Sequence, residues 1–518
     1  FGIRSLEFSP EFGFKLNGKK IFLQGNANHH DLGALGATCY DKAIERMMLQ
    51  LKSFGYNCIR CSHNPYSDSF ARIADRVGIL VVDELTDKWS DNDYWGGRQP
   101  FTHIWHKLIT EWIKRDRNRP SIILWSLGNE LQIREGWAGF EGTNDWGITT
   151  YNIFNQLVKR WDHTRLTTVA MFPARAGAIT RHDKEFNDYL VPPELACATE
   201  VASFNYQSDK YDAYLKSRPD LILFQSEAET SNLLQPYYNM DKERMVGIAY
   251  WGSVEYWGES NKWPKKGWNY SFFEHTMRPY PQAYLIKTAF MPEIPEVHIG
   301  VVDAAGAESV SWNDVIVGRM ALNECWNHTP GSRRSLFTFT NAHSVELLVN
   351  GQSMGIQKND TTRANLRNMI YWKDVPYGNG GSVVAIARDK SGKEVARHRI
   401  ETAGKAVALR IEAETPTDWK ADGMDLQYIN VTVIDKKGRP VWDYNEPLTL
   451  QMEGAARLVA LDNGDHYTDE LFHGITSKRM YQGRMQIILR SDQEAGNVTV
   501  KISSAGLKGT LRLKTIKE

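Results

Sequence analysis

Three short apolar runs in this 518-residue chain end in carboxylates: Val82-Asp83-Glu84, Trp125-Ser126-Leu127-Gly128-Asn129-Glu130 and Phe224-Gln225-Ser226-Glu227. An acid at the end of a short buried strand sits where a barrel enzyme keeps its catalytic groups. Two such acids facing each other are what cleavage of a glycosidic bond needs. One protonates the leaving oxygen, and the other attacks the sugar or directs water onto it. A single glutamate at a strand end is more often a solvated loop residue, so the weight lies on the joint pattern. Asn129 adds to it, because its amide can bind a sugar hydroxyl beside the scissile bond. Glu229 shares a face with Glu227 if the strand continues, and spacing leaves both open as nucleophile. The histidines His29, His30 and His63 are metal-ligating types, so a metal-dependent hydrolase is a competing chemistry. Cys58 and Cys61 have CxxC spacing, but Ile59 and Arg60 between them read as strand. With no second CxxC, neither a zinc nor a redox role is assigned.

The elements that must position these groups alternate. Strands are predicted at Lys20–Gln24, Asn57–Cys61, Leu80–Asp83, Ile122–Ser126, Thr167–Ala170, Val201–Phe204, Leu221–Gln225 and Gly247–Trp251. A helix is predicted from Asp41 to Phe54, with Ile44, Met47, Met48 and Leu51 on one face and Gly55 as its stop. A second spans Ser67–Val77 and ends at Gly78. Further helices are expected near His103–Arg117, Trp146–Trp161, Tyr211–Ser217 and Pro281–Thr288. Eight strands alternating with helices predict a (β/α)₈ TIM barrel, with a doubly wound sheet as the runner-up. After Met291-Pro292 the pattern turns all-β. Val345–Val349 followed by Asn350-Gly351 is a hairpin signal. Ser382–Ala387, Val407–Ala413, Tyr428–Ile434, Gln486–Leu489 and Val498–Ile502 read as strands. The expected organisation is a barrel over 1–292, a β-sandwich over 293–403 and an immunoglobulin-like β-sandwich over 404–518.

Composition narrows the function. Lys+Arg and Asp+Glu are both 62, giving zero formal charge. That argues against a protein held on nucleic acid by a broad basic field, and against a polybasic membrane binder. No apolar run approaches a membrane span. Hydrophobic residues make up 42% and charged residues 24%, a globular balance. The 17 Trp, 22 Tyr and 20 Phe suit cores and interfaces, and equally suit stacking on sugar rings. The first residues, Phe1–Phe8, read as a strand and not as a targeting peptide.

Several stretches, in this order, resemble glycoside hydrolase family 2, the family of β-galactosidases, β-glucuronidases and β-mannosidases. They are Gly25-Asn26-Ala27-Asn28-His29-His30-Asp31, Ile59-Arg60-Cys61-Ser62-His63-Asn64-Pro65, Val82-Asp83-Glu84, Asn118 through Glu130, Phe204-Asn205-Tyr206, Ser226-Glu227 and Trp251 through Glu259. The resemblance implies retaining hydrolysis of terminal β-linked sugars, with Glu130 as general acid/base and Glu227, directly after Ser, as nucleophile. It implies that Glu130 keeps its proton until it acts, which a neighbouring negative Glu227 favours. It also implies that Asn129 binds a hydroxyl, Tyr206 hydrogen-bonds the nucleophile and Arg60 supports it by charge. His29, His30 and His63 are then sugar contacts, Trp251 lies under the sugar, and Asp87 and Trp89 border the pocket. No metal and no cofactor is implied. The expected partner is an oligosaccharide or glycoside, in a periplasmic or extracellular setting, with self-association left open. By the same resemblance, Phe1–Leu6 matches the last strand of a preceding β domain, and residues 1–15 are its tail.

The chain departs from the family in two places. Glu255 stands where the family often has Asp, and the nucleophile context reads Gln225-Ser226-Glu227-Ala228-Glu229. The Asn-x-Lys clamp of family β-glucuronidases lacks its spacing in Asn261-Lys262-Trp263-Pro264-Lys265-Lys266-Gly267. A β-galactoside is therefore the leading substrate, ahead of a β-glucuronide or β-mannoside. A non-catalytic carbohydrate-binding protein on the same fold is the alternative outside enzymes.

Overall fold

Eight parallel strands close on one another in the computed structural model, which describes residues 3–89, 100–131, 147–172, 191–231, 233–260, 263–303, 308–312 and 315–517. In chain order they are β1 (Leu23–Asn28), β2 (Cys58–Cys61), β3 (Leu80–Glu84), β4 (Ile122–Asn129), β5 (Leu166–Met171), β6 (Val201–Asn205), β7 (Leu223–Ala228) and β8 (Gly247–Trp251). Each pairs with its sequence neighbour, and β8 returns to β1 with Ala249 opposite Gly25. The closure is tight there, since a Cβ on Gly25 would lie 2.9 Å from the Cβ of Ala249. This is a TIM barrel, and a doubly wound sheet is excluded by the ring of pairings.

The helices follow the apolar periodicity. They are α1 (Asp41–Ser53), α2 (Asp68–Val77), α3 (Phe101–Asp116), α4 (Ile148–Trp161), α5 (Glu194–Ala198), α6 (Tyr211–Ser217), α7 (Gln235–Asn239) and α8 (Ala283–Phe290). Helix α2 begins at a Ser67 cap whose side chain accepts from the Phe70 N–H. It ends at Gly78, which has φ +77°.

Two expectations at the start of the chain are corrected. The first barrel strand is Leu23–Asn28, not Lys20–Gln24. Lys19–Lys20 instead completes a small antiparallel sheet with Leu6–Ser9 and Gly13–Leu16. The opening strand is Leu6–Ser9, paired in hairpin fashion with Gly13–Leu16. Phe1 and Gly2 lie outside the described residues, as does the pair Asn261-Lys262 that begins the loop compared with the glucuronide clamp.

The chain divides into two compact units. One holds residues 1–30, 48–253 and 309–319 and contains all eight barrel strands; the other holds 31–47, 254–308 and 320–518. In the second unit, four-stranded antiparallel sheets bury apolar cores. Val297–Val302, Leu322–Asn323, Arg333–Thr340 and Met369–Pro376 form one sheet, and Ser344–Val349, Gln352–Lys358, Ser382–Arg388 and Glu394–Glu401 another. They share a core around Trp326, Leu347 and Trp372. The predicted turn at Asn350-Gly351 joins two of these strands with φ +52° and +82°, as a two-residue hairpin demands. A further pair of sheets, beginning at Ala406–Ala413 and Pro447–Gly454, packs around Trp419, Val431 and Leu489. Among the described residues no helix is long and apolar enough to cross a membrane.

Candidate active site

The barrel strands end in buried polar residues, which is unusual for strand interiors and is where the site lies. Strand β2 presents Arg60, which is completely buried. Its guanidinium meets two carboxylates: Nη2 donates to Glu84 Oε2 and Nη1 to Glu227 Oε1, each at 2.7 Å. Nη2 also reaches Asn129 Oδ1 at 3.0 Å. Burial pulls the Arg60 pKa down, but the charges of Glu84 and Glu227 outweigh it and hold the group above its ordinary value.

Strand β3 ends in two acids with different fates. Glu84 points toward Arg60 and also accepts from Ser126 Oγ at 2.6 Å, while its other oxygen meets His63 Nδ1 at 2.6 Å. Burial raises its pKa, yet Arg60, His63 and Ser126 together bring it below the ordinary glutamate value. Asp83 takes the opposite face, as strand alternation requires, and accepts from Trp112 Nε1 of α3 at 2.7 Å. Burial and the nearby charge of Asp116 push its pKa well up.

Strand β4 delivers Asn129 and Glu130. Gly128 just before them is required by packing, because a Cβ there would sit 2.7 Å from Trp89 Nε1. Trp89 is itself fixed by donating to Leu127 O at 2.7 Å. The Asn129 amide donates to Asp87 Oδ1 at 3.0 Å. Burial opposes ionisation of Asp87, but the charges of His63 and Lys88 and its hydrogen bonds bring its pKa down to about 2. Glu130 has φ +49°, a left-handed conformation that a side chain rarely adopts, and its N–H donates to Ala170 O. Asn205 at the end of β6 donates to Asn129 Oδ1 at 2.9 Å and to Glu130 Oε1 at 3.1 Å. Tyr206, also left-handed at φ +57°, donates its hydroxyl to Glu227 Oε2 at 2.6 Å. Two strained residues at one barrel mouth mark a site whose surroundings hold them in place.

The rings complete the arrangement. His63 and Trp251 stack at 5.2 Å with planes 6° apart, and His29 meets both edge-on. His29 Nδ1 faces Ser62 O at 3.1 Å. His30 takes a different direction: its ring stacks on Tyr66 at 4.6 Å and meets Phe70. Burial lowers its pKa. The structure thus gathers Arg60, His63, Asn129, Glu130, Tyr206 and Glu227 into one hydrogen-bonded web, with His29 and Trp251 packed against it. Glu229 falls beyond the end of β7 at Ala228, while Glu227 lies within the strand. All five cysteines are free thiols, and Cys58 and Cys61 stand at the two ends of buried β2. Sequence reasoning left Glu84, Asn205 and Ser226 without roles. Ser226 Oγ donates to Asn205 Oδ1 at 2.8 Å, fixing the amide that bridges Asn129 and Glu130. The available signal was their position, since all three fall at strand ends beside residues that were singled out.

A TIM barrel whose mouth joins two glutamates through an arginine and two asparagines is the architecture of a glycosidase barrel. Comparison with known proteins narrows this class. A family model described as "Glycosyl hydrolases family 2, TIM barrel domain" matches residues 11–244, and "Glycoside hydrolase family 2 C-terminal domain 5" matches residues 409–511. A domain of unknown function matches residues 331–396. The chain belongs to glycoside hydrolase family 2. It is 27% identical to the β-galactosidase BoGH2A of Bacteroides ovatus, over 98% of this chain and 63% of that protein. It is 44% identical to a Formosa agariphila protein named "Putative beta-glucuronidase", over 100% of this chain and 50% of that one. A crystal structure of a family 2 member from Bacteroides cellulosilyticus superposes with TM-score 0.83 at 29% identity, covering 99% of this chain and 64% of that one. The chain therefore spans between half and two thirds of the length of these relatives.

Proposed function

We propose that this protein is a retaining β-glycosidase that removes terminal β-linked sugars, with Glu227 as nucleophile and Glu130 as general acid/base. The observation that carries this reading is the Arg60 bridge. It ties Glu227 to buried Glu84 on one side and to the Asn129–Asn205–Glu130 web on the other. Arg60 and Tyr206 each take one oxygen of Glu227 and fix its orientation. In the first step Glu227 attacks the anomeric carbon while Glu130 gives its proton to the glycosidic oxygen, and the aglycone leaves as an alcohol. In the second step Glu130 takes a proton from water, the water oxygen attacks the anomeric carbon, and the ester to Glu227 breaks with net retention. His29, His63, Asn129 and Trp251 line the sugar, whereas the His30 ring stacks on Tyr66 and is left out of the sugar contacts.

The preferred glycone is a β-galactoside, supported by the name of the Bacteroides ovatus relative and by the absence of the clamp spacing after Trp251. A β-glucuronide is the second reading, favoured by the name of the relative at 44% identity. The test is a panel of nitrophenyl β-glycosides assayed with the natural full-length protein, Glu130→Gln and Glu227→Gln. Turnover of one sugar is expected, reduced about 10³-fold or more in each variant. A 2-fluoro sugar of the same configuration should add one glycosyl group to Glu227 by peptide mass analysis. Label on any other residue, or full activity in Glu227→Gln, would sink the assignment.

A further inference from the structure

The second unit holds a buried cluster that the glycosidase reaction does not use. Glu255 follows β8 and is 2% exposed, and His275 and His466 are each 4% exposed. Glu255 Oε2 lies 3.1 Å from His275 Nδ1 and 3.2 Å from His466 Nε2. One donor atom from each of the three residues lies within 4.8 Å of the other two. Zinc bonds of about 2.0–2.1 Å in a tetrahedral site set neighbouring ligand atoms about 3.3 Å apart. Both glutamate–histidine separations already match that edge length.

Ring orientation supports convergence. The His275 and His466 ring centroids lie 5.0 Å apart with planes inclined by 60°, so the rings are neither stacked on each other nor blocking each other's edge. A second histidine–glutamate group among the described residues of this unit, His298, Glu324 and His398, is arranged differently. Its two rings are stacked at 3.9 Å and only 23° from parallel, and His398 Nδ1 already accepts from the Ile299 N–H.

The outer contacts are those of a metal site as well. His275 Nε2 faces Asp462 Oδ1 at 3.0 Å, the carboxylate partner that fixes a ligating histidine's tautomer and raises its basicity. Glu255 keeps Oε2 toward the histidines while Oε1 accepts from the Tyr280 hydroxyl at 2.6 Å. Trp257 packs over both histidines, with ring centroids at 4.6 and 4.8 Å.

We propose that Glu255, His275 and His466 form a structural site for a divalent cation of the zinc class, braced by Asp462 and Tyr280. The two carboxylates supply the charge that a divalent ion neutralises. On binding, any proton on His275 Nδ1 or His466 Nε2 passes to solvent. The ion clips the segment after β8 to the loop at Asp462–His466, whose nearest pair in this cluster is 187 residues apart in the chain. Closing so long a loop favours the folded state.

The test is metal content and metal-dependent stability of the full chain. After purification without chelator, elemental analysis is expected to find a single equivalent of zinc per chain. Removing it should lower Tm by about 5 °C or more, with recovery on adding zinc. Cobalt added to the stripped protein should give the intense visible bands of a tetrahedral site. Glu255→Gln and His466→Ala should lose the metal and its effect on Tm, while His398→Ala keeps both. If either ligand variant fails to fold, the cobalt spectrum and zinc titration of the unmutated chain decide. Absence of retained metal together with no Tm response to zinc or cobalt would overturn the proposal, leaving a proton-filled ion-pair cluster.

Discussion

Asp83 and Glu84 are consecutive acids on β3, and the pleat sends them to opposite faces with opposite electrostatics. Glu84 meets a buried cation, so its charged form is favoured; Asp83 meets an indole and a second acid, so its charged form is not. Two substitutions follow. Glu84→Gln keeps the shape but removes one of the two anions on Arg60. It should cost about 3 kcal/mol in urea unfolding and reduce kcat/KM at least tenfold. Asp83→Asn should behave otherwise. The folded Asp83 pKa is raised, so its contribution is complete below its ordinary value of 3.8 and is lost as pH rises through the folded value. Asparagine keeps an acceptor for Trp112 and carries no charge, so this variant should match or exceed the unmutated protein in Tm at pH 7 and lose that advantage at pH 4. A lower Tm at both pH values would refute the burial argument. The sequence exposes an acid at the end of the third strand, but a pair of adjacent acids does not say which one enters the barrel. Only the neighbours that arrive from other strands and from α3 decide it.

At the scale of elements, six of the eight barrel strands run further toward their C-terminal ends than apolar periodicity suggests, while β2 and β8 end where it places them. Strand β1 continues through Asn26 and Asn28, β4 through Asn129, and β7 through Ser226 and Glu227. All of these polar residues are buried. A hydrophobic pattern stops where the chemistry starts, so the same residues that identify the site conceal the ends of its strands. Helices suffer less, because their polar faces are solvated and their caps are written locally, as at Ser67 and Gly78. The sequence analysis does not place the sandwich strands Val297–Val302 and Arg333–Thr340, whose buried and exposed positions do not alternate cleanly and which long-range pairing selects. Gly128 tests how strictly an element positions the site. Gly128→Ala puts a methyl 2.7 Å from Trp89 Nε1 and must move either the indole or β4. The expected result is a loss of about 1–3 kcal/mol in stability and at least a tenfold fall in kcat, because Asn129 and Glu130 follow directly. Unchanged kcat with a normal Tm would show that Trp89 yields freely.

At the scale of the whole molecule, the β modules that follow the barrel are held in part by single side chains that close their turns. Asp435 shows how such a module is held. One of its oxygens accepts from the N–H groups of Lys437 and Arg439 at 2.8 and 2.9 Å, and the other from the Gly404 N–H and Arg439 Nε, both at 2.7 Å. A single carboxylate thereby closes the turn Asp435–Arg439 and anchors the segment that leads into Ala406–Ala413. Burial raises its pKa, but the Arg439 contact and the three backbone donors carry it well below the ordinary aspartate value. Because the folded value is the lower one, the stabilisation is complete above about pH 4 and disappears as pH falls through the folded value. Asp435→Asn retains an acceptor but loses the charge and leaves Arg439 without its anion. It should lower stability by about 1.5–3 kcal/mol at pH 7, the range for hydrogen bonds to a charged group. In paired urea titrations at pH 7 and pH 3 the gap between the two proteins should narrow at the lower pH, as protonation removes from the natural side chain what the substitution removed. A gap that is equal at both pH values would mean that shape, and not charge, holds the turn.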